Sequence, residues 1–454
     1  MIAAQVLDLV RQLAGPGAQA EVLVERATLG LTRFANSYIH QNVADTTTTV
    51  RLRLHIEGRT AARTTTLTAT DGLRDLVEQA CQAARLCPPD PGWPGLCPPT
   101  PAPGGEKVDE RILAASPADR AAQVRAFVDA AAGLSAAGYA STQHWATQFA
   151  NSAGQSAAAA TTQAALDGVA RTASSDGTAR AAGVRLSDVD GATLGARAAA
   201  KALAGTDPVE LPPGRYQVVL EPAAVSDILY FLAVYGFNGK AVNERRSFAR
   251  LGAAQFDPSV TLLDDATRTG APGLPFDVQG TPKPRLELVA GGVTSAVTHD
   301  RRTAAEAGAE STGHALGDGR FGAIAGNLLL MPARGASAAE VAGPVVDSSV
   351  AELVSGVERG ILVTDHWYTR VLDPKSLVVT GLTRNGVWLI EHGEPTRPLR
   401  NFRFTQSYPR ALAPGAVLGT GTHATTLPGN WPAAGYSAPA LRLASWQFTG
   451  GASG

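Results

Sequence analysis

Long apolar runs, a cysteine framework, a surplus of either charge and any close pair of histidines are all missing from this 454-residue chain. Each absence closes off a class. No stretch approaches the roughly 18 uninterrupted apolar residues of a membrane-spanning helix. The three cysteines, Cys81, Cys87 and Cys97, sit in the first quarter of the chain, a sparse and odd set that fits a reducing compartment better than a disulfide scaffold. A formal net charge of −1 gives no general reason to bind nucleic acid or an anionic lipid surface. The N-terminal run from Met1 to Asp8 has an acidic residue early and no basic segment before an apolar one, so it reads as an amphipathic helix and not as a signal peptide. The expectation is a cytoplasmic protein with neither a membrane nor a nucleic acid as partner.

The eight histidines, His40, His55, His144, His299, His314, His366, His392 and His423, are scattered, and no two lie four or five apart. A zinc-holding H-E-x-x-H helix face is therefore absent, as are C-x-x-C, G-x-S-x-G and a phosphate-cradling Walker loop. Gly317-Asp318-Gly319-Arg320-Phe321-Gly322 has the spacing of a dinucleotide fingerprint. The residues that follow, Ala323 to Met331, read as a strand running into Pro332 where a long helix would be needed, so the glycines are turn residues. Asp264 and Asp265, with Asp277 and Asp300 further on, could gather around a metal. Adjacent aspartates at a strand end more commonly satisfy backbone donors in a turn.

What is present is the composition of a folded protein, 44% hydrophobic and 17% charged, long enough for two or three cores. The expected class is α+β. Residues 1–87 read as an α/β N-terminal domain, in which Val50, Leu52, Leu54 and Ile56 alternate with polar residues as in a half-buried strand. Asp71-Gly72 then opens a helix with Leu73, Leu76, Val77, Ala80 and Ala84 on one face. Residues 88–107 are crowded with Pro and Gly, including Pro98-Pro99 and the run Pro101 to Gly105, and read as a linker. Residues 108–210 form a mixed middle domain with antiparallel strands. Ser116-Pro117 starts a helix there, a Thr-, Ser- and Ala-rich meander with at least one polar face spans Tyr139 to Arg185, and a helix from Gly191 to Ala204 ends at Gly205. Residues 211–454 read as a β-rich C-terminal domain, entered by the strand Arg215–Leu220 and a helix after Glu221-Pro222. The polar cluster Asn36 to Asn42 lies ahead of a strand. Its Asn, Gln and His side chains could bind peptide backbone or satisfy turn and edge donors, and both readings stay open.

Several stretches, in order, resemble the TldD/PmbA family. Phe34 to Asn42 resembles its N-x-x-I-H-Q-N element, and Tyr216 to Pro222 the strand introducing its last domain. Ser247-Phe248, Val260 to Asp265 and Pro275 to Pro282 resemble its S-F…V-T-[IL]-x-D-D…F-D-x-E-G-T-P sequence, with Gln279 where the family commonly has an acid. Ser311 to His314 and Asn385 to Glu394 are similar to two further family markers. TldD-type chains carry H-E-x-x-x-H on the helix after the Tyr216-like strand, and a late Cys. The positions in register here, Leu229, Tyr230 and Val234, cannot ligate zinc, no histidine occurs between His144 and His299, and no cysteine follows Cys97. The resemblance thus implies the TldE/PmbA-type subunit, with no catalytic residues and no cofactor of its own. A TldD-like partner would hold zinc, and this chain would shape the chamber and bind extended peptide, with Asn36, His40 and Asn42 as candidate contacts. The alternative is a homodimeric peptide-binding or regulatory protein without protease activity.

Overall fold

The computed structural model describes residues 1–102, 106–317, 319–333, 348–429 and 431–451. Pro103 to Gly105 of the expected linker and Asp318 of the glycine motif lie outside the described residues.

The first half contains α1 (Ile2–Ala14), β1 (Gln19–Ala35), β2 (Tyr38–Ile56), β3 (Arg59–Thr65), α2 (Thr70–Leu86), α3 (Glu110–Leu113), α4 (Pro117–Ala130), β4 (Ser135–Asn151), β5 (Ser156–Arg171), β6 (Asp176–Gly183) and α5 (Gly191–Ala204). Ser116 caps α4 with a full capping box, its hydroxyl and the Asp119 carboxylate each taking the other residue's amide. One antiparallel sheet runs in the order β3-β2-β1-β4-β5-β6. Helices α1 and α2 cover one end of it through Val6, Val10, Leu73 and Leu76, and α4 and α5 cover the other through Val124, Phe127, Leu194 and Ala198. Alanine and glycine on β5 let those helices come close. A Cβ on Gly168 would stand 2.4 Å from the Phe127 ring, and one on Gly195 would stand 2.2 Å from the Phe127 carbonyl oxygen. Only glycine fits at either place.

Residues 88–107 do not separate two independent units. The sheet is continuous from β3 to β6, and this segment is a strap fastened by side chains from far along the chain. The Arg301 guanidinium donates to the carbonyls of Leu96 at 2.9 Å, Gly95 at 3.3 Å and Pro94 at 3.4 Å. Arg302 reaches both Asp90 oxygens at 2.8 Å, and Asn151 donates to the Cys97 carbonyl at 2.8 Å. The Lys107 ammonium binds the Ala266 and Ala271 carbonyls, and burial pulls it down to about 8. Proline removes ladder donors, but it leaves carbonyls that a distant arginine can collect.

The second half follows with β7 (Gly214–Leu220), α6 (Pro222–Phe231), α7 (Gly239–Asn243), β8 (Leu262–Asp264), β9 (Leu286–Ala290), β10 (Val293–Thr294), α8 (Arg301–Ala307), β11 (Leu328–Leu330) and α9 (Ser348–Ser355). It ends with β12 (Arg359–Asp373), β13 (Val378–Glu391), β14 (Glu394–Pro398), β15 (Phe402–Ser407), α10 (Tyr408–Ala411), β16 (Val417–Thr420), β17 (Thr425–Pro428), β18 (Gly435–Ala438) and β19 (Leu441–Gly451). One sheet is ordered β10-β9-β8-β11-β18-β17. The other runs β12-β7-β19-β15-β13-β14, and because β12 also pairs with β13, five of its strands close into a ring. Trp446, Phe404, Phe448 and Val363 belong to the large core shared with Ile228, Leu229 and Leu232.

The strand expected from Ala323 to Met331 shrinks to Leu328–Leu330. Upstream, Ala323 offers its carbonyl to the Thr298 hydroxyl and Ile324 donates its amide to the His314 carbonyl, so loop partners replace a ladder. Arg301→Ala should free the strap: hydrogen exchange at residues 92–97 is expected to rise while the central sheet stays protected, with a loss of about 2 kcal/mol in urea unfolding.

Candidate functional site

Alternation along the first sheet sorts its two faces. Ala140, Leu166, Ala179 and Ala181 pack into the core under α4 and α5, so their neighbours Tyr139, Asp167 and Arg180 point the other way. Strand register sets these three side by side, Tyr139 opposite Asp167 and Asp167 opposite Arg180. The same row continues through Arg33 to Gln41 on β1 and β2, roughly 19 Å from end to end at about 4.8 Å per strand.

Against this polar face stands α6, continued by a π-helical turn at Leu232–Gly236. Such turns are rare inside helices and are frequent at functional sites. Ser226, Asp227, Tyr230 and Phe231 from α6, Tyr235 from the π turn, Asp365 to Val371 from β12, and Leu427 and Tyr436 complete a cleft of about 610 Å³.

Ion pairs tie its walls. Arg180 pairs with Asp365, and its Nε lies 3.7 Å from Asp167. Burial pushes the Asp365 carboxyl up, and the pull of Arg180 does not overcome it. Asp227 takes hydrogen bonds from the Tyr408 hydroxyl at 2.6 Å and the Thr369 hydroxyl at 2.8 Å. His366 Nδ1 lies 3.7 Å from Asp227, with its ring against Phe404 and Trp446 at centroid distances of 4.5 and 5.2 Å. Burial and the Asp167 charge push Tyr139 up to about 12, so it stays a neutral phenol. Behind the cleft, Glu221 at the start of α6 pairs with Lys201 and Arg197 of α5. Burial alone would raise that carboxyl, but the two cations hold it below its usual range.

The residues singled out from the sequence fall in several places. Of the motif positions, Tyr230 lines the cleft, Leu229 is in the core and Val234 packs against it. Asn36, His40 and Asn42 are exposed on the β1–β2 hairpin, outside the cleft lining. Instead of preceding the strand, this cluster forms the turn and the first residues of β2, with Asn36 and Ser37 both at positive φ. Asn42 accepts from the Thr32 hydroxyl at 2.6 Å. Among the described residues no three His, Cys, Asp or Glu side chains converge as metal ligands. Asp264 instead meets His314 at 3.0 Å and the Asn327 amide at 2.7 Å. Asp265 holds a turn through the Thr267 and Arg268 amides, Asp277 takes the Gln279, Thr281 and Ala315 amides, and Asp300 caps α8. Reading the sequence missed Arg180, Asp227 and Asp365. Asp227 left a trace, as the lone charge in the apolar stretch from Val225 to Val234.

The family model for the PmbA/TldA metallopeptidase C-terminal domain matches residues 213–450, and that for domain 1 matches residues 20–84. TldE from Thermococcus kodakarensis is similar in structure, with a TM-score of 0.85 at 18% identity over 98% of this chain and 100% of that one. A Thermotoga maritima protein described as a modulator of a DNA gyrase gives 0.82 at 16% identity, covering 99% of this chain and 100% of that one. A Bacteroides thetaiotaomicron protein described as a modulator of DNA gyrase gives 0.81 at 18% identity, covering 99% and 98%. No curated protein matches significantly. At these identities the structures speak for the fold alone.

The Asp264–His314 pair yields a pH test. Burial would raise the Asp264 carboxyl, but His314 and the Asn327 amide hold it below the ordinary 3.8. A depressed folded value contributes stability above the unfolded value, and that contribution is lost as pH falls through the folded one. Asp264→Asn, which replaces a buried hydrogen-bonded carboxylate with a neutral amide, should therefore cost about 1–3 kcal/mol near neutrality. In chemical denaturation the gap to the unmutated protein should close only below about pH 4.

Proposed function

Because the chain belongs to the PmbA/TldD metallopeptidase family, we propose that it is the TldE-type subunit of a zinc peptidase, shaping the chamber and holding extended peptide while a TldD-like partner carries zinc and cuts. The observation behind this reading is the face that α6 turns to the cleft. At the positions in register with the H-E-x-x-x-H of metal-bearing chains stand Leu229, Tyr230 and Val234, none a zinc donor, and around Tyr230 the cleft face of this helix has one carboxylate, Asp227, beside Ser226 and Phe231. Asp227 is itself engaged by Tyr408 and Thr369.

In this reading peptide lies in the cleft and runs along the row from Tyr139 through Arg33 to Gln41, toward the hairpin carrying Asn36, His40 and Asn42. The partner covers the cleft mouth, where Trp367 and Tyr368 line the opening and are 52% and 63% exposed, an apolar pair of the kind that marks a contact surface. Three free thiols, two of them buried, support a cytoplasmic setting. Among the described residues no helix is long and apolar enough to cross a membrane. The description of two similar structures as gyrase modulators keeps a second reading in view, a homodimeric peptide-binding or regulatory protein without protease activity.

The deciding experiment is peptide cleavage by the purified chain, alone and mixed with the TldD-like chain of the same genome, with zinc supplied. Cleavage is expected only in the mixture, and cleavage by this chain alone would overturn the subunit assignment. Replacing Asn36 and His40 together by Ala should lower turnover without disturbing assembly. Trp367→Glu with Tyr368→Glu should weaken co-elution of the two chains by about tenfold or more in concentration, as expected for truncating buried aromatic anchors.

A further inference from the structure

We propose that the cleft selects peptides by a positively charged side chain, arginine or lysine, received at Asp167 and walled by tyrosine rings. The inference rests on the peptide-binding reading above and names the class of peptide it prefers.

Charge in the cleft is unevenly committed. Asp167, Asp227 and Asp365 face two arginines. Arg180 hydrogen-bonds Asp365, its Nε stands 3.7 Å from Asp167 without a hydrogen-bond partner, and the Arg370 guanidinium lies over the Tyr368 ring at 4.5 Å. Asp365 is consumed by its own pair, with a side chain only 3% exposed. Asp167 is different. Its side chain is 32% exposed, and its recorded partner is Arg180 Nε at 3.7 Å, too far for a direct hydrogen bond. A carboxylate has about four acceptor sites, and those of Asp167 open onto the cleft. Three carboxylates against two guanidiniums leave the lining with a surplus of negative charge, and an anionic ligand would meet it at Asp167.

A further feature favours a cation. Tyr139, Tyr230, Phe231 and Tyr436 line the space with aromatic rings, and the faces of such rings attract guanidinium and ammonium groups. A volume of about 610 Å³ admits a long side chain together with flanking main chain.

The test is calorimetric titration of the isolated chain with blocked tripeptides Ala-Arg-Ala, Ala-Gln-Ala and Ala-Glu-Ala, and with an unblocked Ala-Ala-Ala amide. The arginine peptide should bind about tenfold or more tighter than the glutamine peptide. Asp167→Asn should shrink that preference to about twofold, with circular dichroism confirming the fold. If this variant fails to fold, salt titration on the unmutated protein serves instead, since the arginine preference should weaken as ionic strength rises. Equal affinity for arginine and glutamine, or a glutamate preference, overturns the inference and leaves peptide binding standing. Tightest binding by the unblocked peptide moves the cation to the main-chain terminus and overturns the side-chain assignment. Binding by none of the four removes the peptide-binding reading as well.

Discussion

The two halves of this molecule are held in register by charge at a seam. Arg180 leaves the last strand of the first sheet and closes on Asp365 of the ring, while Lys201 and Arg197 of α5 close on Glu221 at the start of α6. Buried ion pairs contribute little net stability, because desolvation offsets most of their attraction, but leaving one partner alone is costly. They therefore act as specificity devices. Any sliding of the first sheet against α6 would strand a buried charge, and the cleft, which lies along this seam, inherits its geometry from that penalty.

How much of this could be read from the sequence depends on the range of the interactions. The alternation of Val50, Leu52, Leu54 and Ile56, the cap at Ser116 and the helix from Gly191 to Ala204 are local, and each appears where its period or cap places it. The β-rich third block was equally plain, from short strands and frequent turns. The strap was misjudged because composition tells that Pro88 to Lys107 cannot be helix or strand, but not that Arg301 and Arg302, some two hundred residues on, will bind its carbonyls and Asp90. The cleft was invisible for a related reason. Positions 139, 167, 180 and 365 are unremarkable where they stand, Asp227 shows only as a lone charge among apolar residues, and only strand register and ring closure bring them together.

The relation between α6 and the cleft also separates architecture from chemistry. The helix turns a phenol, a serine, a phenylalanine ring and one engaged carboxylate toward the cleft. Its inner face, with Val225, Ile228, Leu229 and Leu232, is wholly apolar and fully buried. Packing constrains one side of the helix and the cleft the other, so residues on the cleft side can change without disturbing the core.

The closed ring of β12, β7, β19, β15 and β13 gives that separation its mechanical basis. A ring without a free edge cannot unzip from one end, and it braces the strand that feeds α6 from both sides, through β12 and β19. Such a frame tolerates experiment. Residues on the cleft side of α6 are free to drift from one chemistry to another while the scaffold that carries them persists.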